Sequence, residues 1–157
     1  MRLRAPVLED APEVLDLLAA RDIADLGMVD FELGDLLDEW RSAEIDLAAD
    51  AVLAVRDGGA IVGYAIMRAR GALGAVDPRH EGDGIGALLR EWTERRGRAL
   101  GRELHGQLVA AGNERAQSLM GAAGYSVLAH LEDLVARGVV ATDGDPVIGG
   151  TYRMAAA

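Results

Sequence analysis

The chain has 157 residues and a formal net charge of −10, and this length is typical of one domain with its own hydrophobic core. It contains no cysteine and no lysine, which excludes disulfides, thiolate metal sites, a cysteine nucleophile and a lysine Schiff base. No apolar run approaches the length of a membrane helix, and the first ten residues lack the apolar core of a secretion signal, so we expect a cytoplasmic protein without a membrane partner.

The negative charge is concentrated at the N-terminal end. Residues 1–50 carry 14 acidic residues and four arginines, whereas residues 51–157 carry 12 of each. Acidic residues repel phosphates, so we expect no nucleic-acid partner. The asymmetry is compatible with a cationic small molecule or peptide, and equally with a solvated surface that aids solubility.

The apolar pattern of the first half predicts, in chain order, a strand at 2–8, helices at 9–25 and 31–42, and strands at 51–55 and 60–68. Asp10 precedes Glu13 by three residues, which is the spacing of a capping box, so we expect Asp10 to cap the first helix. The turn signal Asp57-Gly58-Gly59 predicts that the two later strands form an antiparallel hairpin.

The second half predicts a strand at 72–76, a helix from near Ile85 to 100, a strand at 103–110 and a helix at 113–124. Pro78 cannot donate to a ladder and ends the first of these strands, while Asn113 suits the helix N-cap. Residues 125–136 fit a strand better than a helix, and 146–154 fit a last strand or a tail. We therefore expect one α/β domain with a mixed sheet over residues 1–157, of which about 143–157 is a last strand or tail.

Three glycines at alternate positions, Gly82, Gly84 and Gly86, precede or open the helix near Ile85. A helix N-terminus has free backbone N–H groups and the positive end of the helix dipole, and glycine lets an anion approach them without a Cβ in the way. This predicts a phosphate or pyrophosphate site. The dinucleotide-binding fingerprint has another glycine spacing and lies near the start of a βαβ unit, so it fits poorly; a turn without a ligand is the other alternative.

The stretch VDPRHEGDGIGALL, residues 76–89, resembles the acetyl-CoA-binding motif of the GNAT N-acetyltransferase superfamily, V-x-P-x-x-[R/Q]-x-x-G-x-[G/A]-x-x-L. Segments 4–18, 51–67 and 113–125 are similar to other elements of that family, so the resemblance extends from about Leu3 to about Val135. It implies a mixed, mostly antiparallel sheet of six to seven strands flanked by about four helices, with splayed fourth and fifth strands.

The resemblance also implies that acetyl-CoA is the co-substrate and that no metal takes part. Acetyl-CoA would insert between the splayed fourth and fifth strands. The backbone of Gly74, Ala75 and Val76 would pair with the pantetheine arm, and an N–H near Val76 would stabilise an oxyanion. The remaining implied cofactor-binding residues are Glu81, Gly82, Asp83, Gly84, Ile85, Gly86, Ala87 and Asn113. The implied reaction is direct attack of a primary amine on the thioester.

Glu81 departs from the motif, because the family usually has Arg or Gln there. A carboxylate about 6 Å from a phosphate costs roughly 3 kcal/mol at an effective dielectric near 20, unless it faces solvent. Asp83 adds a second negative charge, and Arg79 would offset part of it. Met120 stands where the family often has a tyrosine that protonates the leaving thiolate, and the nearest phenol is Tyr125.

No general base is evident, and the catalytic residues stay unassigned. Tyr64, His130 and Glu132 are candidates because their strands border the acceptor site that the resemblance implies, although each is equally an ordinary strand residue. The ordinary pKa of a histidine side chain suits His130 to the role of a general base. A degenerate module that binds acyl-CoA, or no cofactor, in a regulatory or assembly role is the alternative function.

Two further groups of charged residues are relevant to ligands. Arginines near the glycine run would meet a coenzyme A phosphate, or form a solvated helix face with Glu91 and Glu94; these are Arg90, Arg95, Arg96, Arg98 and Arg102. Acids of the early helices would attract a small cationic or peptide amine acceptor, or are simply solvated; these are Asp30, Glu32, Asp35 and Glu39. Homodimers are common in the family that this chain resembles, so we include a homodimer among the expected partners.

Overall fold

A computed structural model of the chain describes residues 1–29, 31–69, 71–129 and 151–154, with backbone alone from residue 128 onward. The strands are β1 (Arg2–Arg4), β2 (Ala51–Val55), β3 (Ile61–Arg68), β4 (Gly71–Val76), β5 (Gly106–Leu108), β6 (Tyr125–Ala129) and β7 (Thr151–Met154). The helices are α1 (Ala11–Leu26), α2 (Leu33–Arg41), the single turn α3 (Leu47–Asp50), α4 (Ile85–Ala99) and α5 (Glu114–Ala122).

The seven strands form one mixed sheet in the order β1-β2-β3-β4-β5-β7-β6. Every neighbouring pair is antiparallel except β4 and β5, which are joined through α4 and run parallel. The β4–β5 ladder contains only Ala72↔Gln107 and Leu73↔Leu108, although β4 continues to Val76. The expected mixed, mostly antiparallel sheet with splayed fourth and fifth strands is therefore confirmed.

Helices cover both faces of the sheet, which explains why β2 is buried at all five positions instead of alternating. On one face, α1 and α2 pack on a cluster centred on Leu53, Tyr64 and Ile66. On the other face, α4 packs through Ile85 and Leu89. Burial of each large aliphatic side chain contributes about 1.5–3 kcal/mol, so these two layers fix α1 and α4 against the sheet.

The β2–β3 hairpin and the start of α4 at Ile85 are confirmed, and 151–154 form a last strand. The strand predicted at 2–8 ends at Arg4, and the strand predicted at 103–110 is only Gly106–Leu108. Sequence patterns missed α3, because one turn of helix is too short to show a periodicity.

The predicted cap of α1 by Asp10 is wrong. A 3-10 turn precedes α1, so Asp10 already has helical torsion angles and its side chain caps nothing in α1. Its carboxylate instead accepts hydrogen bonds from Arg4 (2.6 Å) and from the Val7 N–H (2.8 Å), and the first of these lowers the pKa of Asp10. Glu13, its expected capping partner, accepts from the Ile61 N–H at 2.9 Å and so ties α1 to β3.

Candidate active site

A cleft of about 650 Å³ opens where β4 and β5 diverge. One wall is β4 with the loop that follows it, the opposite wall is β5 with the start of α5, and α4 forms the floor. Four residues of α1 close the remaining side: Leu18, Arg21, Asp22 and Asp25. The volume lies within the range of small-molecule sites.

The free edge of β4 faces this cleft. The Asp77 N–H donates to the Val62 carbonyl at 3.1 Å, and residues of an antiparallel ladder alternate in the side to which their polar groups point. Ala75 therefore directs its N–H and C=O toward Tyr64 of β3, whereas Gly74 and Val76 direct theirs toward β5. Because the β4–β5 ladder ends at Leu73, the polar groups of Val76 face the cleft without a β5 partner.

The glycine run continues the same wall. Gly82 and Gly84 have φ of +89° and +81°, a conformation that other residues adopt only with strain. The first backbone bond of α4 runs from the Leu88 N–H to the Gly84 carbonyl at 3.1 Å, which leaves the amides of residues 85–87 at the open end of the helix. Gly86 has a different role: a Cβ there would lie 3.0 Å from the Leu119 Cδ2 atom, so its small size lets α5 pack against α4.

Glu81 belongs to a chain of charged and polar side chains that line the cleft. Its carboxylate is paired with Arg21 of α1, and its other oxygen lies 3.5 Å from Arg115 Nε of α5. Arg21 also pairs with Asp25, which accepts from Asn113 Nδ2 at 3.1 Å. The side chains of Arg21 and Asp25 are only 13% and 8% exposed. This network links α1, the glycine loop and α5, and it compensates the negative charge of Glu81.

The other charges that sequence reasoning placed in the loop point elsewhere. Asp83 pairs with Arg56 at 3.2 Å, and neither residue lines the described part of the cleft. Arg79 does not offset Glu81 or Asp83: it binds Asp77 through two nitrogens, and these bonds lower the pKa of Asp77. Only Glu81 of the two acids therefore faces the cleft, and Arg21, which compensates it, was not predicted.

Both candidate tyrosines are buried and hydrogen-bonded to other side chains of the protein. Tyr64 is fully buried, its hydroxyl accepts from Trp40 Nε1 at 2.9 Å, and burial raises its pKa. The Tyr125 hydroxyl donates to Glu94 at 3.2 Å, and burial, followed by the charge of Glu94, raises its pKa as well. Neither tyrosine lines the cleft, whereas Met120 does. The candidates His130 and Glu132 lie outside the described residues.

Comparison with known proteins identifies the fold and the family. Neither a family profile nor a curated protein sequence matches the chain. A GCN5-related N-acetyltransferase structure from Sphaerobacter thermophilus is 31% identical over 80% of this chain, with a TM-score of 0.73. The chain belongs to the GNAT superfamily.

This GNAT chain spans 43% of the Sphaerobacter protein. A Sinorhizobium meliloti phosphinothricin acetyltransferase in complex with AcCoA is 16% identical, over 97% of this chain and 86% of its own, with a TM-score of 0.72. Chaetomium thermophilum Naa20, in complex with a bisubstrate analogue, is 21% identical over 98% of this chain and 86% of its own, with a TM-score of 0.67. These two likenesses concern the fold.

A buried polar group that sequence reasoning missed lies at the floor of the GNAT cleft. Gln107 Nε2 donates to Thr93 Oγ1 at 2.6 Å, and His105 Nε2 lies 3.2 Å from the same oxygen. Burial lowers the pKa of His105, which favours the neutral imidazole. Gln107 and Thr93 line the cleft. Gln107 lies in a strand of only three residues, which is too short to show a periodicity, so the sequence did not reveal this group.

Of the arginines considered for phosphate binding, Arg90 lines the cleft, but it is paired with Glu94 at 2.5 Å. Arg96 binds Asp50 at 2.8 Å. Arg102 points to Met67 Sδ at 3.3 Å. These three side chains are therefore engaged within the protein.

The acids considered for acceptor binding are also placed elsewhere. Glu39 is held by Arg68 at 3.0 Å, and Asp35 accepts from the Glu32 N–H at 3.0 Å. None of these acids lines the described cleft, and Asp30 lies outside the described residues. The acids of α1 that do line it are Asp22 and Asp25. Among the described residues, no helix is long and apolar enough to cross a membrane, and no group of three acidic or histidine side chains is placed to hold a metal.

Proposed function

We propose that this GNAT protein is an acetyl-CoA-dependent N-acetyltransferase that modifies a primary amine of a small cationic molecule or peptide. The observation that carries the proposal is that the free edge of β4 and the open end of α4 line one continuous cleft. The solved structures of similar fold include the Sinorhizobium acetyltransferase with AcCoA and the Naa20 complex with a bisubstrate analogue, which supports both partners.

The residues present fit such a co-substrate. The loop conformation set by Gly82 and Gly84 leaves the amides at the start of α4 free to bind a diphosphate. Val76 presents an N–H and a C=O that can pair with an extended amide arm as an added strand does. Two arginine nitrogens on the cleft, Nε of Arg21 and of Arg90, are buried without a partner among the described residues and can serve polar groups of a ligand.

Acetyl-CoA supplies an activated acetyl thioester when bound. The Val76 N–H lies on the cleft side of β4, where it can donate to an oxyanion, a contribution often near 3 kcal/mol per donor. The α1 wall carries two acids, Asp22 and Asp25, and one arginine, Arg21, so its formal charge is negative, which favours a cationic acceptor. Met120 has no proton to give, and no tyrosine lines the described part of the cleft, so we assign protonation of the thiolate to water.

Titration calorimetry with acetyl-CoA, followed by a thiol-release assay over a panel of amines, tests the proposal. We expect binding and amine-dependent thiol release. Ala disfavours the φ of +81° at position 84 by about 1–2 kcal/mol, so the free loop of Gly84→Ala should relax to another conformation; binding must then restore the present one and should weaken about tenfold. Gly27→Ala is a matched control, because Gly27 has φ +76°, no atom within 4 Å of a new Cβ, and lies off the cleft.

Two results would contradict the proposal in different ways. An absence of heat at millimolar acetyl-CoA would refute cofactor binding. Binding without thiol release over the whole amine panel would refute catalysis and favour the regulatory module. An equal loss of affinity in Gly84→Ala and Gly27→Ala would show that the glycine loop does not contact the ligand.

A further inference from the structure

Arg115 lies on α5, and its side chain is close to the glycine loop. It lies in the first turn of α5 and lines the cleft. Its Nη1 atom is 3.8 Å from the position that a Cβ on Gly82 would occupy. The guanidinium is therefore a close neighbour of the backbone at which the proposed function places a diphosphate.

Arg115 differs from the other arginines of the cleft in how it is held. Arg21 pairs with Asp25 and Glu81, and Arg90 pairs with Glu91 and Glu94. Arg115 is 71% exposed, and its one ion pair within the described residues is the 3.5 Å contact with Glu81. Long, exposed ion pairs contribute little, so this side chain can exchange its partner readily.

Resting on the proposed function, we propose that Arg115 binds the diphosphate of acetyl-CoA and that Glu81 is the counterion it leaves. A phosphate accepts two parallel N–H bonds from a guanidinium, and the diphosphate as a whole carries two negative charges against one for the carboxylate, so the exchange favours the ligand. Glu81 stays paired with Arg21 when Arg115 leaves, so no carboxylate is left without a partner. Arg115 thus supplies the cation that the loop itself lacks at position 81.

The test compares acetyl-CoA affinity of the full chain and two variants at 20 and 300 mM NaCl. Arg115→Gln should weaken binding about tenfold at low salt, as expected for loss of a charge-assisted hydrogen bond, and by a smaller factor at high salt. Arg41→Gln is the control, since it removes the same charge from an exposed position at the end of α2 that does not line the cleft; we expect less than a twofold change.

A third comparison tests the counterion exchange. In a Glu81→Gln background Arg115 no longer has to leave a carboxylate, so Arg115→Gln should weaken binding by a larger factor than in the natural sequence. Equal affinities for the Arg115→Gln and Arg41→Gln variants would overturn the proposal, as would a loss independent of salt. Failure of the unaltered chain to bind acetyl-CoA would instead refute the proposed function.

Discussion

Replacement of Arg21 by Met would test whether the charge network holds the walls of the cleft together. Met retains an apolar chain that can cover part of the surface that the arginine stem covers, but it removes the partner of both Asp25 and Glu81. Asp25 is only 8% exposed and would keep only its bond from Asn113. We expect a less stable protein because a nearly buried carboxylate loses its main cation.

The magnitude follows from the burial of the two charges. Removal of one partner of a fully buried pair costs about 3–5 kcal/mol. Arg21 keeps 13% of its side chain exposed, and residual solvation lowers this to about 2–3 kcal/mol. For a chain of this size, each kcal/mol shifts Tm by about 2–4 °C, so we expect Arg21→Met to lower Tm by about 4–12 °C.

Urea unfolding followed by circular dichroism measures the change in free energy of unfolding. Arg56→Met serves as the control, because Arg56 and Asp83 are each 48% exposed and such pairs contribute about 0–1 kcal/mol. Adding Asp25→Asn to Arg21→Met should restore part of the loss, since the amide needs no cation. Equal losses for Arg21→Met and Arg56→Met, or no recovery with Asp25→Asn, would refute the reasoning.

Two other predictions concern packing and pH. Gly63→Ala should cost about 1–3 kcal/mol in urea unfolding, because its Cβ would lie 2.7 Å from Ile85 Cγ2; Gly34→Ala, in an open helical position of α2, should instead stabilise by about 0.5–1 kcal/mol, and the reverse order would contradict the packing. Burial lowers the pKa of His105 below 6.5, so the unfolded chain binds a proton first and stability should fall as pH drops below 6.5. His105→Gln should flatten the pH dependence of the unfolding free energy just below pH 6.5, and an unchanged slope would exclude His105 as its source.

Local signals in the sequence predicted the glycine loop well. Pro78 follows the end of β4, and Gly82 and Gly84 precede the start of α4 at Ile85; these signals act over a few residues. The predicted cap by Asp10 failed because Arg4, six residues earlier, competes for the same carboxylate. A pattern of residue types does not show which of two nearby partners an acid chooses.

The charge network could not be predicted, because its members are distant in sequence. Arg21 and Glu81 are 60 residues apart and meet only when α1 packs beside the glycine loop. The opposite directions of Glu81 and Asp83 depend on the positive φ of Gly82 between them. Sequence reasoning therefore identified the right acid as the unusual residue but could not supply the arginines that surround it.

The alternation of hydrogen bonds along β4 has a consequence for the energetics of ligand binding. Ala75 satisfies its backbone groups within the sheet, whereas Val76 presents its groups to the cleft. An extended ligand can therefore join the strand without breaking any bond that the sheet already makes. The strand pairing of the sheet therefore does not have to change when a ligand binds. Binding then stabilises the folded protein by mass action.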